Sequence, residues 1–99
     1  MVVGKLLTIK MLVNMFYLNE KFVLKEVQDG LLLINKENNE IYQLTSISKI
    51  IFEKLILNES IENIENFILE NFDADEKEVK TDILELLTDL KNQKILVEK

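Results

Sequence analysis

The chain has 99 residues, carries a formal net charge of −6, and is 47% hydrophobic and 30% charged, a balance that supports one globular core and excludes a disordered polymer. It contains no Cys and no His, which rules out disulfides, thiolate chemistry and imidazole as general base or metal ligand; every basic residue is Lys, so no guanidinium is available to clamp phosphate, carboxylate or guanine. The remaining Asp, Glu, Lys, Ser and Tyr form a thin catalytic set, and the expectation is a protein that is not an enzyme and holds no cofactor.

Residues 1–18, from Met1 to Leu18, are apolar and slightly basic. Lys5, Lys10 and Asn14 interrupt this segment, so it falls short of the roughly 20 apolar residues that a membrane span needs. No small-residue cleavage site follows it, and Met11 and Met15 offer alternative starts. The segment is expected to be an extra strand or a hydrophobic arm for self-association, giving a homodimer through residues 1–18; no membrane partner is expected, and the cytoplasm is the expected compartment.

Residues 19–99 are expected to form one domain. Lys21 to Val27 alternates loosely and is rich in β-formers, so it is the first strand of that domain. Gln28-Asp29-Gly30 is a turn in which Asp-Gly tolerates positive φ. Leu31 to Ile34 is apolar at every position, as in a central strand covered on both faces. Lys36 to Asn39 is the next turn, and Glu40 to Leu44 is the third strand. The expected result is an antiparallel meander with the second strand central and the third strand an open edge. The unsatisfied backbone of such an edge can take up an extended peptide.

Three helices follow. Thr45 or Ser46 caps the first, with Ile47, Ile50, Ile51 and Leu55 along one face. Ser60 caps the second, with Ile61, Ile64, Phe67 and Ile68 as its buried stripe. Asp75, followed three residues later by Glu78, resembles a capping box for the third, which runs to about Gln93. Ile95-Leu96-Val97 then packs back on the core. Around the third helix, Val79, Ile83, Leu86 and Leu90 form the core stripe; Glu78, Asp82, Glu85 and Asp89 lie between about 240° and 300° from Val79. The other flank carries Leu87, Lys80, Lys91 and Leu84, at about 80° to 140°.

The order Leu31–Ile34, Glu40-Ile-Tyr42-Gln-Leu44-Thr45, Ser48, Ile51-Phe52 and Leu55, then Ser60-Ile61-Glu62, Phe72-Asp73-Ala74-Asp75 and Val79 through Leu90, resembles the PqqD family. These are the precursor-peptide recognition elements of ribosomally made, post-translationally modified peptides. The likeness spans about residues 20–97, with Thr45 where the family often has Asn and Gln93-Lys94 where it has Gly. It implies an α+β fold, a three-stranded antiparallel meander packed on a winged-helix-like three-helix unit. It also implies a non-catalytic module that captures the leader segment of a precursor peptide as an added strand, between the third strand and the third helix. The partners would be that leader and a modifying enzyme, such as a radical SAM enzyme, a cyclase or a leader peptidase. Carried onto this chain, the peptide-binding residues are Glu40, Ile41, Tyr42, Gln43 and Leu44 on one wall and Lys80, Leu84, Leu87 and Lys91 on the other. Leu84 and Leu87 would line an apolar pocket, and Lys80 and Lys91 would favour acidic leader residues.

Two other functions compete. A winged-helix DNA-binding transcriptional regulator needs a basic recognition helix. Residues 1–58 carry 7 Lys against 6 acids, but residues 59–99 carry 5 Lys against 12 acids, so no nucleic-acid partner is expected. A carboxylate enzyme or cation site could use Asp73, Asp75, Glu76 and Glu78, but acids at a helix start already complement its dipole, and the spacing is not that of a calcium loop.

Overall fold

The computed structural model describes residues 16–98. In chain order the elements are β1 (Phe16–Leu18), β2 (Phe22–Val27), β3 (Gly30–Asn35), β4 (Ile41–Thr45), α1 (Ser46–Ile56), α2 (Ile61–Asn71), α3 (Glu76–Asn92) and β5 (Leu96–Glu98). The fold is α+β: an antiparallel sheet in the order β2-β3-β4, three helices, and a second sheet pairing β1 with β5. β1 lies inside the apolar segment 1–18; the remainder of that segment, and with it the expected dimer arm, lies outside the described residues.

The sheet packs by one face. Leu31 and Leu33 of β3 and Leu44 of β4 are 3%, 0% and 2% exposed and join Ile51, Phe52, Leu55, Ile64, Ile68, Val79, Ile83 and Leu90 in a single core. Full burial of one such side chain, Phe52 for example, contributes about 1.5–3 kcal/mol. The opposite face is open, which corrects the reading of the second sheet strand as covered on both sides: Leu32 and Ile34 are only half-buried. Register places Val23, Ile34 and Ile41 side by side across that outer face, with Val23 and Ile41 exposed. A run apolar at every position reads the same whether its second face is buried or only half-covered by neighbouring strands.

Local chemistry fixes the joints. The Ser60 hydroxyl accepts from the Asn63 amide, and the Asp75 carboxylate accepts from the amides of Lys77 and Glu78. At the exit of α1, the amides of Asn58 and Glu59 donate to the carbonyls of Leu55 and Lys54, with Asn58 at φ 62. This is a Schellman closure with Asn in the left-handed position. The Asn58 side chain is used again, since its Oδ1 accepts from the Phe16 amide at 2.9 Å and so holds β1 in place. α3 ends the same way. Lys94 stands at φ 60, the amides of Lys94 and Ile95 donate to Lys91 and Leu90, and Ile95 packs on Leu90 inside the core. The missing glycine after α3 is thus replaced by a strained lysine, and Asn19 braces it by donating its side-chain amide to the Lys94 carbonyl.

Gly30 has a different reason from the one its Asp-Gly context suggests. Its φ is not positive; instead, a Cβ there would lie 2.1 Å from the Leu44 carbonyl oxygen. Glycine is needed for the close approach of β3 to β4.

Two stability changes follow. Gly30→Ala should cost about 1–3 kcal/mol in urea unfolding, because backbone rather than a flexible side chain must move. Lys94→Gly should stabilise by up to about 1 kcal/mol, since relief of left-handed strain exceeds the added unfolded-state entropy. A neutral Gly30→Ala or a destabilising Lys94→Gly would contradict this reading of the two joints.

Candidate functional site

β4 bonds to β3 on one side and has no strand partner on the other among the described residues. Antiparallel pairing alternates which residues bond across the ladder. The Asn35 amide donates to the Glu40 carbonyl, so the register makes Tyr42 opposite Leu33 and Leu44 opposite Leu31 the next bonded pairs. Ile41 and Gln43 therefore turn their N–H and C=O groups to the open edge. The edge stops at Thr45, whose amide donates to the Ser48 hydroxyl at 3.0 Å while that hydroxyl donates back to the Thr45 carbonyl at 2.7 Å.

Side chains alternate with the backbone. Leu44 is buried in the core and Tyr42 is half-buried on the same face, whereas Ile41, at 60% exposure, and Gln43 point to the outer face. Glu40 sits in the turn, with its carboxylate accepting from the Asn38 side chain.

α3 forms the other wall. Tyr42 is packed close enough to α3 that its hydroxyl pKa is raised above 10.0, first by burial and then by the negative charge of Asp89. At one end of β4 a cleft brings Glu40, Ile41 and Tyr42 together with Gln93 and Ile95. Beyond its other end Ile47, Ser48 and Ile51 face Asp82, Glu85, Leu86 and Asp89. Following β4 into α1 is thus the same as following α3 back from Gln93 to Asp82. A shallow concavity of Thr81, Leu84, Glu85, Thr88 and Asp89 continues this wall outward, with Leu84 44% exposed.

Lys80, Leu84, Leu87 and Lys91 do not line up opposite β4. Lys91 pairs with Glu98 of β5 and stands 6.0 Å from the centre of the Phe16 ring of β1. Helical geometry places Lys80 and Leu87 on that same flank, and Leu87 is half-buried against the core. Leu84 alone of the four borders a surface shared with Glu85 and Asp89. The core stripe fixes which way α3 faces, but not which flank receives β4; packing through Tyr42 puts the acidic flank there. Thr81, Glu85, Thr88 and Asp89 border a concavity that the sequence did not single out, although the acidic periodicity of Glu85 and Asp89 was visible. The same exposed acids are the opposite of what a nucleic-acid backbone requires.

The family model of PqqD, "Coenzyme PQQ synthesis protein D", matches residues 30–96. The chain belongs to the PqqD family. The match begins at the β3 glycine and ends inside β5, so it takes in β4, α3 and the groove between them. Two solved structures share the fold. "Lasso peptide synthetase B1 complexed with the leader peptide" superposes with a TM-score of 0.77 at 21% identity, covering 83% of this chain and 96% of that one. "TbiB1 in Complex with the TbiA(beta) Leader Peptide" gives 0.71 at 20% identity, covering 81% and 93%. A search of curated proteins returns no match.

Burial and Asp89 both favour the neutral phenol of Tyr42 in the folded state. Below pH 10 the phenol is protonated in both states; above it the unfolded chain ionises first, so stability is lost as pH rises. Tyr42→Phe should lessen the fall in unfolding free energy above pH 10 relative to the unsubstituted protein. An unchanged pH dependence would contradict the packing of Tyr42 against Asp89.

Proposed function

We propose that this PqqD-family protein is a non-catalytic recognition module that captures the leader segment of a ribosomally made precursor peptide. The leader adds as a strand beside β4, against α3, and the module presents the precursor to a modifying enzyme or leader peptidase. The observation that carries this reading is the open edge of β4, where Ile41 and Gln43 hold backbone donors and acceptors that no described strand uses. Backbone pairing at such an edge supplies affinity, and pockets for alternate side chains supply specificity.

Membership of the family supports the reading, as do two structural neighbours that were both solved with leader peptides. The thin catalytic set supports it too, since capture needs no catalytic group and acts by raising the effective concentration of the precursor at its enzyme. A radical SAM enzyme, a cyclase or a leader peptidase are the partner classes in keeping with the family. On this reading the peptide contacts Ile41 and Gln43 through their backbones, Tyr42 and Leu44 as the floor, and Glu40 at one end.

The test uses a fluorescein-labelled leader from the precursor frame beside this gene, followed by anisotropy. Gln43→Pro removes one edge N–H that no internal ladder bond uses, and proline is tolerated on sheet edges. It should weaken binding about tenfold or more while leaving the circular dichroism and the unfolding midpoint nearly unchanged. Undiminished binding by a folded Gln43→Pro protein would overturn strand addition.

A further inference from the structure

The charge of the groove goes one step beyond strand addition and rests on it. A strand beside β4 in antiparallel or parallel register presents alternate side chains to α3: those level with Tyr42 and Leu44 turn inward, and those level with Ile41 and Gln43 turn out. The inward positions face the flank of α3 that carries Glu85 and Asp89. Asp89 lies by Tyr42, and Glu85 lies one helical turn nearer the start of α1. Among the described residues, none of Asp82, Glu85 and Asp89 is ion-paired; the four lysines in ion pairs, Lys21, Lys49, Lys54 and Lys91, bond Glu37, Glu26, Glu59 and Glu98.

The spacing is also matched. Two residues of an extended strand advance about 6.6 Å. Four residues of helix, from Glu85 to Asp89, rise about 6 Å. A peptide with basic side chains two residues apart can therefore set one against Asp89 and the next against Glu85.

We infer that the segment docked beside β4 is a basic one, with lysine or arginine at alternate, inward-facing positions paired to Asp89 and Glu85. This reverses the acidic preference that Lys80 and Lys91 would have given had they faced the groove. These carboxylates and the open edge act together: the edge sets the register, and the acids choose which strand occupies it.

The probes are three synthetic ten-residue strand-forming peptides, identical except for Lys, Gln or Glu at two alternate positions. They are titrated into the ¹⁵N-labelled full chain at low and high salt, with the Ile41 and Gln43 amides as reporters. The Lys peptide should shift both amides and bind several-fold more tightly than the Gln peptide, the Glu peptide should bind most weakly, and added salt should narrow the gap. Glu85→Gln and Asp89→Asn, both exposed and outside the core, should each reduce Lys-peptide affinity about twofold to fivefold without altering the Gln peptide. Equal binding of all three peptides, with both edge amides shifted, overturns the charge preference and leaves strand addition standing. Binding that leaves the Ile41 and Gln43 amides unmoved, or no binding by any peptide, overturns both.

Discussion

An antiparallel strand sends its backbone hydrogen bonds alternately to its two sides, and among the described residues β4 has a partner on one side only. Most of what distinguishes this molecule depends on that. Bonding through Glu40, Tyr42 and Leu44 to β3 leaves Ile41 and Gln43 facing outward, and the same alternation sends Tyr42 and Leu44 inward to meet α3. One constraint therefore fixes both the polar rail of the groove and its floor. The Thr45–Ser48 hydrogen bonds close the rail where α1 begins, so the open backbone is short. A short edge limits indiscriminate pairing with other chains.

The second wall must be held at a fixed distance from that edge, and the termini of the described region do this. β1 and β5 pair across the end of α3, with Phe16 and Leu96 buried in the core. Asn58 tethers β1 to the exit of α1, and Asn19 tethers the β1–β2 connection to the exit of α3. The left-handed residues at these exits, Asn58 and Lys94, carry local strain that the surrounding bonds over-determine. Burial of Ile95 against Leu90 and the paired amide bonds compensate for the absence of glycine at Lys94.

Much of the fold was legible because its signals are local. The period-two stretch from Lys21 to Val27, the turn at Lys36–Asn39 and the caps at Ser60 and Asp75 each announce an element without reference to distant residues. What could not be read was set by contacts distant in sequence. The β1–β5 sheet joins Leu18 to Leu96, and no local pattern states that pairing. The open outer face of β3 depends on what covers Leu32 and Ile34. Which flank of α3 meets β4 depends on packing through Tyr42, so periodicity separates an acidic flank from a lysine flank without saying which one lies beside the strand. Leu84 lies on the outward side of α3, in a shallow concavity with Thr81, Glu85 and Thr88.

Amide hydrogen exchange on the complex with a bound leader bears on strand addition most directly. Ile41 and Gln43 are edge amides that should exchange readily in the free protein and become strongly protected at saturation, while Tyr42 and Leu44, already bonded to β3, should change little. Free exchange of Ile41 and Gln43 in a saturated complex would contradict a strand docked on β4.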